Sequence, residues 1–304
     1  MTEMLQYDFM QRALIAAALV GLVAPVIGVF LVQRRLALLG DGIGHVALTG
    51  VALGYLTQTS PLLLALAVSV VGAAAIELIR VRARTGGDVA LALLFYGGIA
   101  GGVLLIGLAP GANSATLTGF LFGSVSSVGE EDVAVVVALA AVVLAVIGFF
   151  WRELFVLCQD EESARASGLP VRLLSLVIAV TAALTVVVSM RVVGVLMVSA
   201  LMVVPVAAAQ QLARSFRVTA LLAMAIGLLC SLGGLTGAFY VDVAPGAAIV
   251  LLTLAVFAVA VAAGYVLRAA TGRARVRADG PSPGPDDPGT VGTMPQTERG
   301  SVSR

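Results

Sequence analysis

The sequence predicts an all-helical membrane protein with about nine spans. Three observations predict it. Of 304 residues, 60% are hydrophobic and 12% charged, where a soluble domain carries roughly 45–50% apolar and about 25% charged residues. The mean hydropathy is +1.07. The apolar residues also come in long runs, close to the roughly 20 that a helix needs to cross a bilayer.

Nine runs qualify: 10–32, 36–57, 61–79, 89–108, 133–151, 173–190, 192–209, 219–240 and 246–267. The first comes after "MTEMLQYDF", which lacks the basic n-region of a cleavable signal peptide, so it is expected to serve as its own insertion signal. The seventh is the weakest, because Pro205 interrupts it and Arg191 sits at its mouth, and eight spans is the alternative. "TLTGFLFGSVSSV", from Thr116, is apolar but too short to cross, and is expected to be interfacial or re-entrant.

Arginine distribution orients the chain, since basic residues concentrate in cytoplasmic loops. With nine spans and an outside N-terminus, Arg34, Arg35, Arg80, Arg82, Arg84, Arg152, Arg165, Arg172, Arg214 and Arg217 face the cytoplasm. Only Arg12 and Arg191 fall outside, with the acidic cluster Glu130, Glu131 and Asp132. Beyond 267 the chain changes character. "DGPSPGPDDPGTVGTMPQTERGSVSR" is rich in Pro, Gly, Ser and acid and cannot bury enough apolar surface to offset its ordering entropy. A disordered cytoplasmic tail over 268–304 is the expectation.

Composition also excludes functions. All 18 basic residues are arginine. Without lysine there is no P-loop, whose lysine reaches the nucleotide phosphates, and no Schiff-base chemistry. A single histidine and no H-E-x-x-H exclude an intramembrane metalloprotease built on two histidines of one chain. Cys158 and Cys230 lie far apart and read as apolar fillers.

Two ionisable residues stand inside the second run. In "LALLGDGIGHVALTGVALGYL", Asp41 and His45 lie roughly 7 and 13 Å from the cytoplasmic end at about 1.5 Å per residue. Charge at such depth is costly and faces a bundle interior or a watery path. The i,i+4 spacing puts both on one face, and carboxylate and imidazole are ligands for zinc and related metals. The plainer reading is an Asp–His hydrogen bond that holds helices together.

One loop is patterned: "CQDEESARASGLPVR". Asp160 suits an N-cap, and Glu161 and Glu162 suit the positive helix end. Arg165 comes at i+4 from Glu161. Ala164 stands mid-helix, Gly168 suits the left-handed C′ position and Pro170 stops the helix. This helix either just connects two spans or docks another protein. The pairs Gly40/Gly44, Gly50/Gly54 and Gly98/Gly102 permit close helix approach. Glu77 reads as a residue paired with Arg80 or Arg84, and Asp242 as an external turn residue.

At these residues the chain resembles the membrane permeases of ABC-type zinc and manganese uptake systems. The span "FMQRALIAAALVGLVAPVIGVFLVQRRLALLGDGIGHVALTGVALG" resembles the opening of that family, with its Gly-Asp and, four residues after the Asp, its His matched by Gly40, Asp41 and His45. "DEESARASGLPV" resembles its coupling segment, and "MRVVGVLMVSALMVVPVAAA" the next segment along. The resemblance covers nearly all of 8–267. It implies a transmembrane permease domain over 1–267, with the coupling segment at about 158–170, in a multi-pass plasma-membrane protein.

It further implies a homodimer, a separate cytoplasmic ATPase that binds through Asp160, Glu161, Glu162, Ala164, Arg165 and Gly168, and an extracytoplasmic metal-binding protein. Asp41 and His45 would then handle the transported ion, zinc first and manganese second. The chain would carry no permanent cofactor, no enzymatic activity and no nucleic acid. The alternative is an ATPase-independent secondary metal transporter, which would need ligands on several spans, and nearly all runs here lack ionisable groups.

Overall fold

The computed structural model describes residues 6–82, 87–109, 119–123, 129–190 and 193–278. Among the described residues eleven helices carry the fold: α1 (Asp8–Gln33), α2 (Leu39–Leu56), α3 (Pro61–Arg82), α4 (Gly87–Leu108), α5 (Glu130–Phe149), α6 (Trp151–Gln159), α7 (Glu161–Ala166), α8 (Val171–Met190), α9 (Val195–Leu212), α10 (Phe216–Val241) and α11 (Pro245–Ala278). A further turn of helix occupies 119–122, and no strand occurs among the described residues.

The chain divides into two units, Met1–Ala262 and Ala263–Arg304. The described part of the second is the helical end of α11, a stretch rich in Ala and Arg, both strong helix formers. Residues 279–304, most of the expected disordered tail, lie outside the described residues. So do most residues of the expected re-entrant segment from Thr116.

Among the described residues seven helices are long and apolar enough to cross a membrane: α1, α3, α4, α5, α8, α10 and α11. The expected count of eight to nine is not reached on that measure, and α2 and α9, which stand outside the seven, both start later than their runs. The second run was expected from Leu36, but α1 closes with a Schellman motif. Arg35 adopts φ 58°, its amide donates to Val32 O at 3.1 Å, and Leu36 N donates to Leu31 O at 2.8 Å. α2 therefore begins at Leu39 and carries Asp41 and His45 within 18 residues. The seventh run was expected from Val192, but Gly194 at φ 84° delays α9 to Val195. α9 then continues through Pro205 without a break.

In the main unit α1 and α8 lie innermost, each about 72% buried over its apolar stretch, against 17% for α4 and 22% for α5. The outward helices expose Leu93, Val103, Leu104 and Phe149, the side chains a lipid-facing surface tolerates. Beyond Arg172 and Ser175 near its start, the inner helix α8 is apolar apart from hydroxyls that bond within the helix. Thr181 donates to Val177 O at 2.6 Å, Thr185 to Thr181 O at 2.8 Å and Ser189 to Thr185 O at 2.7 Å, which removes the penalty of burying them.

α2 packs against α3, α4, α8 and α9, and glycines set the distances. A Cβ on Gly44 would lie 3.0 Å from Val195 on α9, and one on Gly50 would lie 2.5 Å from Ala65 Cα on α3. One on Gly98 of α4 would lie 2.8 Å from the backbone of His45 and Val46. The three glycine pairs thus serve three different interfaces.

Candidate functional site

Asp41 is the third residue of α2, where the helix dipole favours a carboxylate. His45 lies one turn on and is 6% exposed. Its Nε2 is 3.9 Å from Asp41 Oδ1, beyond hydrogen-bonding distance. The plainer sequence reading, an internal Asp–His hydrogen bond, is therefore absent from this geometry. His45 Nδ1 is buried and takes no hydrogen bond among the described residues. Two atoms 3.9 Å apart can both reach one ion lying between them, given metal–ligand bonds of about 2.0–2.2 Å.

Neighbouring helices hold the pair. Ser199 of α9 donates its hydroxyl to Asp41 Oδ1 at 3.4 Å. Phe95 of α4 meets the His45 ring edge-on, with centroids 4.5 Å apart. Thr49 donates to Gly98 O at 2.8 Å and ties α2 to α4. Asp41 opens onto a cavity of about 300 Å³ lined also by Leu38, Leu91, Ala92, Phe95 and Tyr96, about ten times the roughly 30 Å³ share of one water. Among the described residues no three His, Cys, Asp or Glu gather as a metal cluster.

Ser199 and Phe95 were not legible beforehand. A lone serine and a phenylalanine in apolar helices carry no signal of their own. Gly98 was legible as a packing glycine. Gly98→Ala is expected to drive α4 away from α2, because its Cβ would meet backbone rather than a yielding side chain. Overpacking of this kind costs about 1–3 kcal/mol, readable as a lower Tm of the detergent-solubilised protein.

The patterned loop forms α7. Asp160 accepts from the amides of Glu162 at 3.1 Å and Ser163 at 3.2 Å, and from the Ser163 hydroxyl at 2.6 Å. Arg165 pairs with Glu161 at 3.1 Å. Gly168, at φ 79°, and Leu169 close a Schellman motif on Arg165 O and Ala164 O, and Ala164 is fully buried. Glu162 stays exposed. The helix spans six residues, and Gly168 falls in its cap at the left-handed position expected of it.

The Ser163 hydroxyl, then the two amides, hold the Asp160 carboxyl below its ordinary value of 3.8. A lowered carboxyl contributes stability that is complete above the unfolded value and lost as pH falls through the folded one. The hydrogen-exchange protection factors of Glu162 and Ser163, taken relative to the intrinsic rate at each pH, should therefore fall on acidification through that range, and Asp160→Ala should abolish the dependence.

A cleft of about 790 Å³ beside α7 is lined by Glu77, Arg80, Glu161, Arg165, Pro170 and Arg172, among others. Glu77 is buried and pairs with Arg80 at 3.3 Å, as expected, while Arg84 lies outside the described residues. Asp242 caps α10 in the left-handed conformation, consistent with a turn residue. Both cysteines are free. Burial pushes the Cys158 thiol up to about 11 against the opposing pull of Arg34.

Residues 6–264 match the model of the ABC 3 transport family. The manganese transport system membrane protein MntC of Halalkalibacterium halodurans is 34% identical over 258 residues, covering 85% of this chain and 88% of that protein. The manganese import system permease protein ScaB of Streptococcus parasanguinis is 32% identical, covering 83% of this chain and 89% of that protein. Among solved structures, PsaBC from Streptococcus pneumoniae in complex with Fab superposes with a TM-score of 0.77 at 30% identity, over 84% of this chain and 92% of that one.

Proposed function

The chain belongs to the ABC 3 transport family, and from that premise we propose that it is the membrane permease of an ATP-driven manganese importer. It is a multi-pass transport permease and not an enzyme, and hydrolysis belongs to a separate ATPase. The observation that carries the metal reading is the Asp41–His45 pair, whose facing atoms stand 3.9 Å apart beside a cavity. Zinc, expected first from the sequence, finds no support in the two relatives described above, whose names carry manganese. Carboxylate and water ligands also suit manganese. The secondary-transporter alternative is not favoured.

One chain offers two ligands. A two-fold homodimer repeats every patch and would supply two Asp and two His, with water completing the shell. The cytoplasmic ATPase would dock on α7 and the adjoining cleft, and an extracytoplasmic binding protein would deliver the ion to the opposite side.

The nine-span, outside-N-terminus topology is part of this proposal, and pairings at the two ends of the bundle support it. Arg12 bonds Glu130 at 2.8 Å at one end, and Arg34 bonds Glu161 at 2.9 Å at the other. α3 starts beside Gly54 and finishes at the Glu77–Arg80 cleft, so α2 runs the depth between. Phe216, at the start of α10, packs on Phe30 and Phe155, so α9 does the same. Each has 18 residues, within the 17–25 range of a span. Residues 268–304 would then continue from the last span into the cytoplasm.

The test is uptake of radiolabelled manganese in cells lacking the chain and in cells given it back. Restored, ATP-dependent manganese uptake is the expected result. Equal manganese uptake with and without the chain would overturn the reading.

A further inference from the structure

Arginines at a cytoplasmic loop are ordinarily solvated. Arg34 is not: its side chain is 6% exposed. It is the C-cap residue of α1, and its guanidinium is divided between two other elements. One nitrogen donates to Ser175 Oγ on α8 at 2.6 Å, and the other to Glu161 Oε2 on α7 at 2.9 Å. The second oxygen of Glu161 takes Arg165 at 3.1 Å. Burying a guanidinium is costly unless it is paired, so this arrangement holds α1, α7 and α8 in one register. Cys158 of α6 reaches the same end of α1, with Sγ 3.8 Å from Phe30 O.

Immediately after Arg34 the chain turns toward the candidate ion site. Arg35 is fixed at φ 58° by two turn hydrogen bonds, and Leu39 N donates to Leu36 O at 2.9 Å. The turn is short and hydrogen-bonded, and Asp41 lies in the first turn of the next helix. A displacement of α7 would therefore pass through Glu161 to Arg34, and through a stiff turn to the carboxylate of the candidate ion site.

We propose that Arg34 is a positioning residue that couples the ATPase-docking helix to Asp41, so that movement of α7 changes the geometry offered to the ion. The proposal rests on the ABC-permease reading above. Arg34 touches neither nucleotide nor ion. Its part is to transmit, and its loss should separate hydrolysis from transport rather than abolish either assembly or hydrolysis.

The test uses the permease with its ATPase and binding protein in proteoliposomes, reading manganese transported per ATP hydrolysed alongside ATPase pull-down. Arg34→Gln is expected to retain the ATPase and lower the ratio about fivefold or more, the range of ordinary site-to-site coupling. Arg34→Lys, which keeps a positive charge facing Glu161, should recover much of it. An unchanged ratio in Arg34→Gln, or no recovery in Arg34→Lys, would overturn the proposal. Loss of ATPase pull-down in Arg34→Gln would also overturn it, since the residue would then serve docking alone. If the wild-type complex hydrolyses ATP without moving manganese, the permease reading fails instead.

Discussion

Asp41→Asn and His45→Ala are each expected to abolish manganese uptake while the permease still assembles with its ATPase. This is the largest effect expected of any point change. The two substitutions act on different atoms. Asn keeps the shape of Asp41 and its contact with Ser199 but removes the negative charge, while Ala removes the imidazole and leaves a void beside Phe95. Loss of a residue that merely supports a metal ligand costs about 10–100-fold in affinity or activity, and loss of a ligand should cost more. Uptake of labelled manganese, measured beside a pull-down of the ATPase, decides the matter. Wild-type transport in both assembled variants would mean that the pair has no part in moving the ion. Ser199→Ala should give an intermediate loss, because it removes only a 3.4 Å hydrogen bond to the carboxylate.

Ala164→Pro should be nearly as damaging, for a different reason. Ala164 N donates to Asp160 O at 3.1 Å, and Ala164 O accepts from Leu169 in the closing cap. Proline removes the donor and its ring crowds the Asp160 carbonyl, at a cost of about 3 kcal/mol in a helix interior. In a helix of six residues that is enough to lose the fold of the element. The spans do not depend on this bond, so membrane insertion should be normal while ATPase association and uptake fall together. A variant that still captured the ATPase at wild-type levels and transported normally would show that α7 is only a connector.

Local features were legible in the sequence where a few neighbouring residues determine them. The cap at Asp160, the Glu161–Arg165 pair and the stop at Gly168 all depend on contacts within five residues. The apolar runs likewise located every long helix, because exclusion from water acts on composition. Helix starts were less legible. Nothing in "RRLALL" announces that Arg35 turns left-handed, since arginine there carries the strain that glycine would relieve. Long-range pairings were not legible at all. Arg34 reads as one more cytoplasmic arginine until Glu161 and Ser175, more than a hundred residues away, arrive beside it. The preference for zinc over manganese finds no support in the relatives for a related reason: residue type alone does not choose between the two metals.

The three glycine interfaces around α2 also limit how such a protein can change over generations. Backbone grips this helix from α3 and α4, and α9 presses on it from another side, so it cannot be shifted to fit an ion of different radius without refitting three neighbours at once. What remains adjustable is the wall of the cavity, where Leu91, Ala92, Phe95 and Tyr96 of α4 face Asp41 with side chains alone. A lineage that acquired a new metal would be expected to record the change there first, with the glycines and the Asp–His pair left in place.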